Sequence, residues 1–376
     1  MKLDMSKIIL QKRKEKQVTQ QQLADFIGVS KASVSKWENG QTYPDITLLP
    51  LLASYFDITV DQLLSYSNNL STEQIRKIYQ SLANSFKDNP PEQVYKSFEE
   101  IVHRYYSCAP LILEMGQFLV NHGDLFPGDD KKDKAEKYLT EAQDLFKRVL
   151  EISNEPELLA KAKNFSAYCS LVLQKPDEVL QKLGQYVPEY YPVESLIAWA
   201  YQLKGENDKA VATTQSALFQ YIAVMMSQLT NYLQLVVNQP QKFLTTYQRG
   251  KQIIVAFRVK ELNPTIVINF LTSAAFGFAQ IGNDAMVKQC LSEYVELLEN
   301  VKFPLKQHGD QYFDQIDDWL KQTDLGDVLP RSDQQLKTDF VTIITQNPTF
   351  MSYRNNEDFK EIFDHLDRIK EKLDNE

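Results

Sequence analysis

The sequence predicts an all-α protein in two parts, a head of five short helices and a long body of paired helices. Three observations carry that expectation. Only 12 glycines and 15 prolines occur in 376 residues, too few for the turn density of an all-β chain. Apolar residues recur at helical spacing behind Ser or Thr caps, the pattern of amphipathic helices. Charge also divides the chain: residues 1–43 hold eight Lys/Arg against four Asp/Glu, a net of +4, which leaves −13 for the other 333 residues within a total of −9. A basic head on an acidic body is expected when one small domain meets phosphate and the rest avoids it.

The head reads element by element. Residues 6–16 form the first helix. Thr19 with Gln22 three positions on makes a capping box that opens the second, where Leu23, Phe26 and Ile27 share an apolar face. Gly28 ends it, since glycine adopts the left-handed conformation at least cost. Ser30 caps a third helix with Val34 and Trp37 inward, and that helix closes at Asn39-Gly40. Ala24 is small where the second and third helices cross. Residues 45–56 make the fourth helix, and Thr59 with Gln62 is a second capping box that opens the fifth.

With Gln20 as the first position, Ala24, Gly28, Val29, Val34 and Trp37, followed by "SKWENGQTYPD", resemble the helix-turn-helix of the Xre family, the phage Cro and lambda-repressor type. The resemblance covers about residues 5–66. It implies a five-helix lambda-repressor-like domain whose Ser30, Lys31, Ala32, Ser33 and, one turn on, Lys36 face base edges of a double-stranded DNA operator. In that setting Lys31 and Lys36 suit guanine O6/N7, and Ala32 suits a thymine methyl. Gln20 matches a phosphate-gripping position, and Asn39 and Thr42 match backbone contacts. Arg13 and Glu38 match a partly buried ion pair tying the first helix to the third. The other reading of Lys31 and Lys36 is solvated surface charge.

The expected division is a head over 1–66, a linker over 67–70 and a helical body over 71–376. Ser71 with Gln74 is a third capping box. Helical patterns of about 12 to 20 residues then alternate as far as Leu373 with breaks at Asn89-Pro90, Glu155-Pro156, Lys175-Pro176, Gln239-Pro240, Asn263-Pro264 and Asn347-Pro348. Residues 265–281 are strongly apolar but fall short of the about 20 residues of a membrane span. Asn269, Thr272, Ser273 and Gln280 interrupt them, so a buried helix is expected.

Residues 194–218 place Ala198, Tyr201, Gly205, Ala210 and Ala217 at the spacing of a tetratricopeptide repeat. Residues 271–294 repeat part of it with Ala275, Phe278 and Gly282, while Val287 and Tyr294 stand in place of the alanines. The body is thus similar to a degenerate tetratricopeptide-like α-solenoid, and residues 347–363 resemble the terminal capping stretch of such proteins. In that register the concave face receives Ser195, Trp199 and Gln202 from one pair and Asn269, Thr272 and Phe276 from the other, amides beside aromatics that suit a short peptide. The other reading makes Trp199 and Phe276 core and the amides ordinary surface.

An Xre-type head on such a body resembles the layout of the peptide-sensing regulators of Gram-positive bacteria, the Rap/Rgg/NprR/PlcR/PrgX group. The layout implies a one-component transcription regulator, a homodimer with a short peptide effector. The alternative is an adaptor whose body binds a protein partner constitutively.

Nothing in the sequence points to an enzyme, a cofactor or a metal. Cys108, Cys169 and Cys290 and the four histidines are dispersed, without zinc spacing, which suits reduced core thiols. Gly123/Gly128 and Gly277/Gly282 have Walker spacing, but Asp129 and Asn283 follow where lysine is needed. No Gly-x-Ser-x-Gly elbow occurs. Residues 1–10 carry Lys2, Asp4 and Lys7 and lack a signal peptide's apolar core, so a cytoplasmic location without membrane contact is expected.

Overall fold

A computed structural model describes residues 5–64, 70–187 and 189–374. Most of the linker expected at 67–70 lies outside the described residues. The head comprises α1 (Met5–Glu15), α2 (Gln20–Ile27), α3 (Lys31–Glu38), α4 (Leu49–Tyr55) and α5 (Val60–Leu63). Each of the three expected capping boxes forms: Thr19, Ser71 and Thr59 accept from the backbone three residues on, and Gln22, Gln74 and Gln62 return the bond. Gly28 is left-handed at φ +80°, and Ala24, Leu23, Ile27, Val34 and Trp37 are buried in one core with Met5, Ile9, Leu52 and Leu63. Phe26 corrects the expectation. It is 55% exposed, its ring lying tilted against Tyr55 with centroids 4.4 Å apart.

The first half of the body contains α6 (Thr72–Ser85), α7 (Pro91–Arg104), α8 (Ala109–His122), α9 (Lys131–Ile152), α10 (Pro156–Val172) and α11 (Pro176–Leu183). Most of the X-Pro breaks turn out to be helix starts, because proline at the first helical position forgoes an N–H that has no acceptor there. An aromatic cluster of Tyr79, Phe98, Phe118, Phe126 and Tyr138 centres this half.

The second half contains α12 (Glu194–Leu203), α13 (Asn207–Leu235), α14 (Pro240–Ala256), α15 (Val259–Leu262), α16 (Pro264–Gln280), α17 (Asp284–Asn300), α18 (Asp317–Gln322), α19 (Asp333–Thr345), α20 (Pro348–Met351) and α21 (Lys360–Asp374). α16 is the buried helix expected from its composition, and no helix among the described residues is long and apolar enough to cross a membrane. Its core is closed by contact between glycine and aromatic rings: a Cβ on Gly250 would lie 2.2 Å from the Phe270 ring, and one on Gly277 2.3 Å from Phe243. Both repeat-like hairpins form, with Gly205 and Gly282 left-handed at their turns and Ala198, Ala210, Ala217 and Ala275 buried. They are not consecutive, however. α14 and α15 intervene, and α13 runs for 29 residues, longer than the second helix of a repeat.

Residues 301–332 depart from the alternating helices expected there. Only α18 is helical, and one isolated antiparallel bridge joins Lys306 to Val328. Among the described residues no strand forms. This strap buries Leu305, Phe313, Ile316 and Leu320 in the core of the second half, while Leu325 packs on the first-half core. Arg76 of α6 donates to the carbonyls of Lys321, Thr323 and Asp324 at 2.9, 2.6 and 3.2 Å, and Lys161 of α10 pairs with Asp324 at 2.7 Å.

Candidate nucleic-acid interface

The local hydrogen bonding of the head builds one outward helix edge. Gly28 and Val29 both donate to the Ala24 carbonyl, at 2.9 and 3.0 Å, so α2 stops sharply and the chain turns into α3. Ser30 accepts from the Ser33 amide at 3.1 Å, and the two hydroxyls lie 2.9 Å apart. Val34 and Trp37 anchor the inner side of α3, which leaves Lys31, Ala32 and Lys36 exposed and Ser33 half-buried. Neither lysine makes an ion pair or hydrogen bond among the described residues. Asn39 and Thr42 follow, both exposed.

A partly buried polar triad sets the position of α3. Arg13 of α1 donates to both oxygens of Glu38, at 2.5 and 2.9 Å, and to the Val18 carbonyl at 2.8 Å. Burial alone would push the Glu38 carboxyl up. Bonds from Arg13 and Gln20, with the charges of Arg13 and Lys14, outweigh it and hold the group below the usual carboxylate range. The third member was missed by the sequence reading. Gln20, expected to grip a phosphate, instead aims its amide Nε2 at Glu38 Oε2, 2.8 Å away. Arg13 already meets each carboxylate oxygen, and α2 presents the amide as a second donor to Oε2. Only the carboxamide at position 20 hinted at it.

Residues 9–63 match the family model described as "Helix-turn-helix". They form a helix-turn-helix domain. The chain is 38% identical over 63 residues to the HTH-type transcriptional activator BcrR of Enterococcus faecalis, covering 17% of this chain and 31% of that protein. It is 35% identical over 71 residues to the competence pilus inhibition repressor of Acinetobacter baylyi, covering 19% and 64%. Against the HTH-type transcriptional regulator AnsR of Bacillus subtilis it is 35% identical over 60 residues, covering 16% and 52%. The chain thus spans between about a third and two thirds of the length of these curated relatives. What the helix-turn-helix head shares with them is a domain.

The structure splits the six residues expected to line one peptide groove. Ser195, Trp199 and Gln202 are exposed on α12, and Trp199 is no core residue. Of the three on α16 only Asn269 is exposed. The Thr272 hydroxyl donates to the Ile268 carbonyl at 2.9 Å, and Phe276 is half-buried, edge-to-face with Phe350 at 6.2 Å. α13 packs against both helices, so the two triplets belong to separate pairs around it. The groove that does touch α12, about 930 Å³, is lined by Glu194, Ile197 and Tyr201, one or two positions along the helix from the expected set. One residue rotates a side chain by about 100°, and repeat spacing alone does not fix a helix's rotation to that precision.

Proposed function

We propose that this chain is a DNA-binding transcriptional regulator whose helical body joins two copies and carries its control. The observation that carries the DNA reading is the unpartnered edge of α3: Lys31, Ala32 and Lys36 project from a helix that Trp37, Val34 and the Arg13–Glu38–Gln20 triad hold in place. That edge matches in shape and charge what enters a major groove, with Ser33 beside it and Asn39 and Thr42 placed for phosphate. With its amide committed to Glu38, Gln20 contributes through the backbone N–H groups at the start of α2. A regulator of this kind is not an enzyme. An effector acting through the expected peptide residues would use α12 and α16 as separate patches.

Duplexes selected from a random pool by the full chain test the reading. Lys31→Ala and Lys36→Ala are each expected to weaken a selected site by about 1–3 kcal/mol, measured by fluorescence anisotropy at several salt concentrations. Equal binding by wild type and the double variant removes the assignment.

The pairing reading rests on an apolar stripe of α12: Leu196, Trp199 and Leu203 are 63%, 61% and 78% exposed, large for side chains on one helix of a monomer. Light scattering is expected to show a dimer at tens of micromolar that Leu196→Glu/Leu203→Glu dissociates. An unchanged mass for the variant places the contact elsewhere, and a monomeric wild type ends the reading.

A further inference from the structure

The groove between α12, the first half of α13 and the strap is outside everything assigned so far. It is large, about 930 Å³, and its lining carries five carboxylates (Glu194, Asp208, Asp314, Asp317, Asp318) against two lysines. Both lysines are already taken, Lys209 by Glu206 and Lys321 by Asp318. The carboxylates are only partly used. Asp314 accepts from Gln215 at 2.8 Å, Asp317 from the Gly309 amide at 2.7 Å and Glu194 Oε1 from the Tyr190 hydroxyl at 2.6 Å. Asp208 makes no hydrogen bond or ion pair among the described residues.

A further observation points to a missing partner. Ser216, in the lining of the groove, is 5% exposed, and its hydroxyl oxygen has no hydrogen-bond partner. Polar atoms withdrawn from water cost free energy unless something meets them. Part of the wall is apolar, with Ile197, Ala212, Ala217 and the half-buried ring of Trp319 beside the uncharged polar Thr213 and Gln220.

The charge calls for a cation, and its distribution says which kind. Among the described residues no three His, Cys, Asp or Glu side chains converge as metal ligands do. A compact ion therefore finds no cage, whereas positive charge spread along an apolar chain meets both the dispersed carboxylates and the walls between them. We propose that this groove binds an organic cation with ammonium groups on an aliphatic chain. Each ammonium supplies three donors, for the carboxylates and the Ser216 hydroxyl, and the methylenes lie against the walls and the Trp319 face. A free polyamine and a lysine-rich peptide share this chemistry.

Isothermal titration of the full-length protein without DNA tests the proposal independently of the head. The probes are spermidine, a Lys-Lys dipeptide amide, and magnesium chloride matched in ionic strength. Spermidine or the dipeptide is expected to bind at one site per chain, and the tighter of the two identifies the source. Asp208→Asn/Asp314→Asn and, separately, Ser216→Ala are expected to weaken it by about tenfold. Asp129→Asn/Glu136→Gln, which removes the same charge on and beside α9, leaves affinity as in wild type. Circular dichroism checks that each variant is folded. Heats no larger than those of magnesium for both amines overturn the proposal. So does an equal loss in the groove and α9 variants, which would mark general screening of an acidic protein, and so does undiminished binding by both groove variants.

Discussion

The turn from α2 into α3 and the strap at 301–332 are held by the same kinds of bond at different ranges. In the head, the Thr19 and Ser30 caps and the Gly28 and Val29 amides all close within three to five residues. In the strap, Tyr312 and Asp314 are bonded by Gln215, 97 and 99 residues away, and the carbonyls of Lys321, Thr323 and Asp324 by Arg76, up to 248 residues away. Arg331 at its far end donates to the Asn121 carbonyl, 210 residues back, and pairs with Asp124 and Asp339. Bonds of the first kind form as the helix forms, whereas those of the second kind need both halves of the body in place first. One region is built from its own residues and the other from what surrounds it.

That difference is testable at its strongest point in the head, where the bonds of Arg13 to Glu38 do reach across the sequence. Arg13→Ala strips the charged partner from Glu38, whose side chain is 3% exposed, and leaves it only the Gln20 amide. A loss of about 3–5 kcal/mol in head stability is expected, read by urea denaturation through Trp37 in a Trp199→Phe/Trp319→Phe background. A loss under about 1 kcal/mol, the level of an exposed pair, would place Glu38 in solvent. The same pair makes the head acid-sensitive. Glu38 is held below its unfolded value, about 4.3 for a free glutamate, so its contribution is present above that pH and fades as pH falls through the folded value. Glu38→Gln flattens that part of the profile, since Arg13 stays charged throughout.

In the strap the expected effect is smaller and falls in a different place. Arg76→Ala removes donors to three carbonyls and is expected to cost about 1–3 kcal/mol. Limited proteolysis is expected to cut near 320–326 faster, while DNA binding and the Trp37 transition stay unchanged. A variant as resistant as wild type would show that the buried side chains of the strap hold it without Arg76. Smallest is a cap: Thr19→Ala is expected to cost the head about 1 kcal/mol, with no change in proteolysis of the strap. Acceleration there would break the separation between local and long-range construction.

The sequence by itself determined where helices begin and end. Thr19, Ser30, Thr59 and Ser71 cap, Gly28 turns, and the X-Pro pairs start helices, because each of these signals acts on backbone groups within one turn of itself. It also determined which side of α3 faces outward, since Val34 and Trp37 lie one turn apart on the buried side. Tertiary structure alone decided the rest. Gln20 carries no mark in its neighbours that its amide will meet Glu38, 18 positions on. Ile197 and Tyr201 rather than Trp199 line the α12 groove because helix rotation answers to α13 and to a strap more than a hundred residues downstream. The strap has no period of its own, and its buried residues are fixed by two cores that exist only once distant helices have met. Local hydrogen bonding is written in adjacent residues, whereas packing depends on residues the chain brings together only by folding.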